Sequence, residues 1–188
     1  MTDKVLALDA MGVLYRDADD VADLLVPYLR ERGCRFPVDR IEAEYTRCSL
    51  GEFPAAALWQ RLGVAGDDEE YCARHELTPG MAELLADSAG QVRLSCLSND
   101  VAEWSVLLRR RFGLERWIDT WVISAEIGHR KPARAAYLSL LDAVDARPDE
   151  VLFVDDRERN LVAARELGIT AVPFAGTDRL AEVVREWS

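Results

Sequence analysis

The chain has 188 residues, of which 49% are hydrophobic and 30% are charged, and its formal net charge is −11. This composition is typical of a folded globular protein and excludes an intrinsically disordered one. The negative charge argues against nucleic acid as a partner, because binding to phosphates needs a basic face.

No apolar run reaches the roughly 18 residues that a membrane-spanning helix needs. No basic segment followed by a signal-like apolar stretch opens the chain, so we expect a cytoplasmic protein with no membrane partner. The cysteines form no C-x-x-C pair and only two histidines are present, which argues against a zinc site. We expect four reduced, structural thiols, at Cys34, Cys48, Cys72 and Cys96.

The first predicted strand is the apolar run Val5–Leu8, which ends at Asp9. Residues 17–77 follow it and contain only helix-type patterns. Their helices are indicated by residues that commonly open helices, namely Asp19 or Asp20, Pro37 and Pro54. A Thr-Pro-Gly turn at 78–80 ends the region. The sequence therefore predicts an all-helical domain over residues 17–77, inserted into a core domain formed by residues 1–16 and 78–188.

Beyond the insertion, short β-type runs alternate with helical patterns. Four further strands are predicted at 92–97, 121–124, 151–154 and 169–172. Helices are predicted at 101–112, 133–144, 158–167 and 178–187, and the second follows Pro132, a residue favoured in the first helical turn. This alternation predicts an α/β fold, in which a Rossmann-like parallel sheet flanked by helices carries the inserted all-helical domain.

Polar residues stand at the ends of three predicted strands. Asp9 follows the first strand, Ser98-Asn99-Asp100 follows the second, and Asp155-Asp156 follows the fourth. Lys131 lies in a loop before a predicted helix. Because ligands of open α/β sheets bind beyond the carboxyl ends of the strands, we expect these side chains to share one site.

This set of side chains suits phosphoryl transfer. The Asp9 carboxylate can attack phosphorus if a hard cation shields it from the anionic phosphate, and Mg²⁺ prefers oxygen ligands such as Asp9 and Asp155. Ser98 can hold phosphate oxygens, while Lys131 can neutralise the nucleophile and the developing charge. Each residue alone also suits an ordinary loop or helix cap. Their succession at strand ends and loops favours a catalytic site.

The segments around these residues resemble four motifs of the haloacid dehalogenase superfamily of hydrolases. The first segment, "LALDAMGVL", matches D-x-D-G-T/V-L except at the second Asp. The others are "LSCLSND", "GHRKPARAAY" and "VLFVDDRERNLVAARELGI". The resemblance covers essentially the whole chain, and the helical region 17–77 is similar to the small (C1-type) cap of that family.

The resemblance implies a role for each matching position. Asp9 would be the nucleophile, and Mg²⁺ would be bound by Asp9, Asp155, Asp156 and the backbone carbonyl of Met11. Ser98 and Lys131 would be catalytic, and these two residues together with Asn99 would bind the substrate. Gly12 and Asn160 would support the first and fourth motifs. The implied substrate is a small phosphorylated or carboxylate-bearing metabolite.

Met11 is the departure from the family pattern, because phosphatases of the family have an acid/base Asp at this position. A methionine side chain transfers no proton, and loss of general acid/base help typically costs about 10²–10⁴-fold in rate. The activity is therefore expected to be weak or specialised, unless another side chain substitutes. His129, two residues before Lys131, is the nearest candidate in sequence.

Two other functions stay open. One is a binding or regulatory protein that keeps the pocket without catalysis. The other is a 2-haloacid dehalogenase, since such family members also lack the second Asp. They resemble Ser-Ser-Asn-x-x-Asp in the fourth motif, however, whereas this chain has Asp155-Asp156 and Asn160. Candidate substrate contacts near or within the helical region are Arg16, Arg47, Trp59 and His75.

Overall fold

The computed structural model of the protein describes residues 4–187, so residues 1–3 and 188, the outer limits of the predicted core domain, lie outside the described residues. Its strands form one parallel sheet in the order β3-β2-β1-β4-β5. The strands are β1 Val5–Leu8, β2 Arg93–Ser98, β3 Thr120–Ile123, β4 Val151–Asp155 and β5 Thr170–Pro173. The predicted α/β fold with a Rossmann-like parallel sheet is confirmed.

Helices fill the region between β1 and β2 and cover both faces of the sheet. A π-helical turn, Val21–Leu25, runs directly into α1. The α-helices are α1 Val26–Glu31, α2 Val38–Cys48, α3 Ala55–Arg61, α4 Asp68–Cys72, α5 Met81–Ser88, α6 Ala102–Arg111, α7 Ser124–Ile127, α8 Arg134–Val144, α9 Glu158–Arg165 and α10 Thr177–Trp187. No helix within residues 4–187 is both long and apolar enough to cross a lipid bilayer.

Several predicted boundaries differ from the observed ones by one or two residues. The helix α8 begins at Arg134, with Ala133 as its N-cap residue, one residue after its predicted start. Ser124 begins the short helix α7 instead of ending β3. A helix of four residues shows no periodicity that could separate it from a strand end, which explains the second error.

The sheet is covered by apolar side chains on both faces. Leu6 and Leu8 belong to a core that includes the apolar residues of the helical region, while Val5 and Ala7 belong to a second core with α8 and α9. This alternation is the period of two expected of a strand. All four cysteines are buried free thiols, as expected for structural residues.

The position of β1 decides where a ligand can bind. It pairs with β2 on one side and with β4 on the other, so the strand order reverses next to it. Crevices in open α/β sheets lie beyond the carboxyl ends of strands at such a reversal. Leu8 is in register with Val154, which brings Asp9 and Asp155 to the same end of the sheet.

Candidate functional site

Lys131 lies between two buried carboxylates at this end of the sheet. Its ammonium nitrogen is 2.7 Å from Oδ1 of Asp9 and 2.8 Å from Oδ2 of Asp155. All three residues are at least 94% buried, since their exposed fractions are 4%, 6% and 0%. The structure thus brings Asp9 together with two side chains that lie more than a hundred positions away from it in the sequence.

The backbone of Lys131 is held by one side chain. The Asn99 amide donates from Nδ2 to the carbonyl oxygen of Lys131 at 2.9 Å, and its Oδ1 accepts the backbone N–H of Lys131 at 2.7 Å. This reciprocal pair ties the loop before α8 to the end of β2. Asn99, predicted to contact substrate, therefore also positions the lysine, and it lines the cavity described below.

Asp155 is fixed by donors on every side. Its Oδ1 accepts from the backbone N–H of Arg157 at 2.8 Å, and Nδ2 of Asn160 lies 2.9 and 3.0 Å from its two oxygens. Asn160 is placed for this contact by the first turn of α9 and is itself 2% exposed. Its position agrees with the supporting role expected of it.

Asp9, Asp155 and Asp156 could hold one metal ion. Ligand oxygens from the three carboxylates lie within 4.8 Å of one another. Oδ1 of Asp156 is buried and has no hydrogen-bond partner among residues 4–187, which is unfavourable unless something else binds it. A cluster of hard oxygen donors with one unpartnered oxygen fits Mg²⁺ well.

The chain turns sharply after Asp9, and Gly12 makes this turn possible. Gly12 has φ +79° and donates its N–H to the carbonyl oxygen of Tyr15 at 2.9 Å. The turn brings Met11 to the site, where its side chain is 8% exposed and lines the cavity.

Burial and the lysine together set the charges of the acidic pair. Burial, with the neighbouring Asp155, raises the pKa of Asp9 to about 8, although Lys131 acts in the opposite direction. At Asp155 burial also acts to raise the pKa, but contact with the Lys131 ammonium outweighs it and holds the pKa of that carboxyl below its ordinary value. A divalent cation would favour the ionised form of both groups.

Ser98 ends β2, and its buried hydroxyl has no hydrogen-bond partner in the described part of the chain. The residue is 2% exposed and lines the same cavity as Asp9 and Lys131. A hydroxyl in this state is free to donate to an anion that enters the cavity.

The cavity has a volume of about 300 Å³ and is lined mainly by polar residues. Its cationic lining includes Arg130, Arg157 and Arg159 besides Lys131, and its acidic lining includes Asp20. Of these residues, only Lys131 was predicted from the sequence as a site residue. Arg130 directly precedes Lys131, and the other two arginines follow the acidic pair, so proximity to the motifs was the available signal.

Several candidate residues lie elsewhere. His129 is exposed and does not line the cavity. Trp59 and His75 are 4% and 1% exposed and pack among aromatic rings, where burial lowers the pKa of His75 to about 4. Arg16 and Arg47 form ion pairs with Glu76 and Glu52 away from the cavity lining. Packing accounts for Trp59 and His75, and surface charge pairing accounts for Arg16 and Arg47. The type of side chain alone could not separate these roles from substrate binding.

Comparison with known proteins shows a family match over most of the chain. Residues 4–168 match the family described as haloacid dehalogenase-like hydrolase. Flavin mononucleotide hydrolase 1 of Arabidopsis thaliana is 25% identical over 189 residues, covering 95% of this chain and 75% of that protein. That relative is named as a chloroplast protein, so the cytoplasmic location expected from the sequence stays a prediction.

Solved structures share the fold at low sequence identity. A HAD family enzyme from Bacteroides thetaiotaomicron in its magnesium complex has a TM-score of 0.80 at 18% identity, covering 97% of this chain and 98% of that one. The same enzyme with magnesium and inorganic phosphate has a TM-score of 0.71 at 19% identity, covering 92% and 94%. L-2-haloacid dehalogenase from Xanthobacter autotrophicus has a TM-score of 0.64 at 20% identity, covering 93% and 78%.

Proposed function

The chain belongs to the haloacid dehalogenase-like hydrolases, and from this we propose that it is a magnesium-dependent phosphatase that forms an acyl-phosphate on Asp9. The single observation that carries the proposal is the contact of Lys131 with both Asp9 and Asp155 next to the third carboxylate, Asp156. Three converging carboxylates would repel an anionic substrate unless a cation is bound among them. The fit of this cluster to Mg²⁺ supports metal use.

Each residue has a definite task in the proposed reaction. An oxygen of Asp9 attacks phosphorus, an O–P bond forms, and the bond from phosphorus to the leaving oxygen breaks. Lys131 orients the nucleophile and balances charge on the transferred group, while the unpartnered Ser98 hydroxyl donates to a phosphoryl oxygen. Mg²⁺ held by Asp9, Asp155, Asp156 and the Met11 carbonyl would supply electrostatic stabilisation of the phosphoryl oxygens. Water then attacks the acyl-phosphate and releases inorganic phosphate.

The helical residues 17–77 are proposed as a cap domain over this site. Residues of this region, including Asp20, Tyr45 and Thr46, line the same cavity as Asp9 and Ser98. The Tyr45 hydroxyl donates to the backbone carbonyl of Asn99 at 3.2 Å, which links the region to the end of β2. A polar cavity of about 300 Å³ with several cationic side chains suits a small anionic metabolite.

The proposal is tested with 4-nitrophenyl phosphate, with and without Mg²⁺, on the wild-type protein and on Asp9→Asn. We expect turnover that needs Mg²⁺ and falls below detection in Asp9→Asn, because an amide cannot act as the nucleophile. Asp23→Asn is the matched control, since Asp23 is exposed and lies outside the cavity lining. Binding of beryllium fluoride at Asp9, followed by ¹⁹F NMR, gives a readout without turnover.

Two outcomes would contradict the proposal. Release of halide from a 2-haloacid in the presence of a chelator would assign the site to dehalogenation instead. Absence of both turnover and beryllium fluoride binding would leave a binding protein, whose ligand affinity should then survive Asp9→Asn.

A further inference from the structure

The proposed reaction needs a side chain that transfers protons, and the Met11 side chain cannot do so. An alkoxide leaving group must gain a proton, and the water that attacks the acyl-phosphate must lose one. Within residues 4–187, the acidic side chains that line the cavity besides Asp9 are Asp19, Asp20 and Glu42. Arginine side chains do not act as proton carriers in proteins, and His129 lies outside the cavity lining.

Asp20 differs from the other two acids in burial. It is 6% exposed, whereas Asp19 and Glu42 are both exposed. Asp19 already has a structural task, because its Oδ1 accepts the backbone N–H of Ala22 at the start of the π-helical turn. Asp20 forms no such helix-capping hydrogen bond.

The surroundings of Asp20 suit both of its protonation states. The Tyr45 hydroxyl lies 3.4 Å from Oδ2 of Asp20 and 3.2 Å from the carbonyl oxygen of Asn99. When Asp20 is ionised, Tyr45 can donate to it. When Asp20 is protonated, its own hydroxyl can donate to Tyr45 while Tyr45 donates to Asn99. Neither state leaves the tyrosine without a partner.

Burial and the charged groups around Asp20 together set its pKa near neutral pH. Burial and then the neighbouring Asp19 raise the pKa of Asp20 to about 6, against the opposing effect of Arg157, Arg130 and the Tyr45 hydroxyl. Burial, and after it the charge of Asp20, raise the pKa of the buried Asp100 carboxyl. A carboxyl that titrates near neutral pH can both give and take a proton during a catalytic cycle.

We propose that Asp20 is the catalytic acid and base of this site and takes the place of the residue that Met11 lacks. In the first step the Asp20 carboxylic acid gives its proton to the leaving oxygen as the bond to phosphorus breaks. In the second step the resulting carboxylate takes a proton from the attacking water, which restores the acid and releases phosphate. The inference rests on the proposed phosphatase function.

The test compares leaving groups in Asp20→Asn with Mg²⁺ present. With glycerol 2-phosphate, whose alkoxide needs a proton, we expect kcat/KM to fall about 10²-fold or more. With 4-nitrophenyl phosphate, which leaves without protonation, we expect a normal burst of one nitrophenolate per enzyme and then slow turnover, because the acyl-phosphate lacks its base. Asp23→Asn, the same charge change on the exposed side of the same π-helical turn, should behave as wild type.

The double variant Met11→Asp/Asp20→Asn separates proton transfer from structure. If Asp20 transfers protons, an Asp at position 11 should restore turnover of glycerol 2-phosphate and abolish the burst. Asp20→Ala serves the same comparison if Asp20→Asn does not fold, as judged by its thermal unfolding.

Three results would overturn the inference. The first is that kcat/KM of Asp20→Asn depends on the leaving group as it does in the wild-type protein, and that no burst of nitrophenolate is seen. The second is that Asp19→Asn or Glu42→Gln, and not Asp20→Asn, loses turnover of glycerol 2-phosphate and shows the burst. The third is a wild-type protein without Asp9-dependent turnover, which overturns the proposed function together with the inference. The first two leave the phosphatase proposal intact.

Discussion

A β-carbon on Gly12 would lie 2.9 Å from the carboxyl carbon of Asp156. Real β-carbons do not approach other atoms so closely, and the atom met here belongs to a side chain proposed to bind Mg²⁺. The glycine at this position therefore serves two purposes. It permits the positive φ of the turn and leaves room for the carboxylate.

Gly12→Ala should weaken both stability and metal binding. The positive φ alone costs roughly 1 kcal/mol for alanine, and the displaced Asp156 should lower Mg²⁺ affinity in isothermal titration. Gly63→Ala is the matched control, because Gly63 has φ +70° and nothing within 4 Å of an added β-carbon. An equal loss of Mg²⁺ affinity in both variants would show that crowding of Asp156 has no part in it.

The fold could be predicted because its signals are local. Each strand is a short apolar run, and each was found within one residue of its predicted limits. The helix α5, Met81–Ser88, was not predicted, and α7 was taken for the end of a strand. Short helices gain their stability from tertiary packing more than from periodicity, so single-sequence patterns carry little trace of them.

The site was only partly predictable, for a physical reason. Asp9, Ser98 and Asp155 stand at strand ends, where the sheet topology brings them together, and Lys131 follows in a loop that Asn99 ties to the end of β2. Asp20 reaches the same cavity from the helical region, where it is one of many acidic residues in the sequence. Its burial depends on how that region packs against the end of β2, which no local pattern records.

Lys131→Met should destabilise the protein by about 3 kcal/mol, because it leaves two buried carboxylates without their shared cation. Urea denaturation in the presence of a chelator measures the loss. Added Mg²⁺ should recover more stability in this variant than in wild type, since a cation among the carboxylates replaces the missing charge.

Arg159→Met is the control, because it removes an exposed cation that lines the same cavity, and it should change stability by less than about 1 kcal/mol. If both variants lost the same amount of stability, the burial of the Lys131 ion pairs would not be the reason for the loss.

Asp68→Ala should loosen the packing of the helical region against α6. The Asp68 carboxylate accepts the indole N–H groups of Trp59 at 2.8 Å and of Trp104 at 2.7 Å. Both tryptophans are nearly buried, so two donors would lose their partner, at a cost of about 2 kcal/mol or more. Tryptophan fluorescence followed through urea unfolding reports the change. Glu69→Ala, in the same first turn of α4 but exposed, controls for the lost negative charge and should leave the midpoint nearly unchanged.

Asp20→Asn should stabilise the protein at neutral pH while it impairs turnover. The pKa of Asp20 is raised from 3.8 to about 6 in the folded state. Below pH 4 the group is protonated in both states, and its burial then carries no ionisation cost. Between about pH 4 and pH 6 the unfolded chain loses this proton while the folded protein keeps it, so wild-type stability falls by up to about 3 kcal/mol and then levels off. Asparagine avoids this loss.

The difference in unfolding free energy between Asp20→Asn and wild type should therefore grow from near zero at pH 4 to its full value by pH 8. Urea titrations at a series of pH values measure it, and Asp23→Asn should show no comparable trend because Asp23 is exposed. A difference that is constant across this range would mean that Asp20 titrates normally. The proposed proton transfer in the cavity would account for a buried acid that lowers stability at neutral pH.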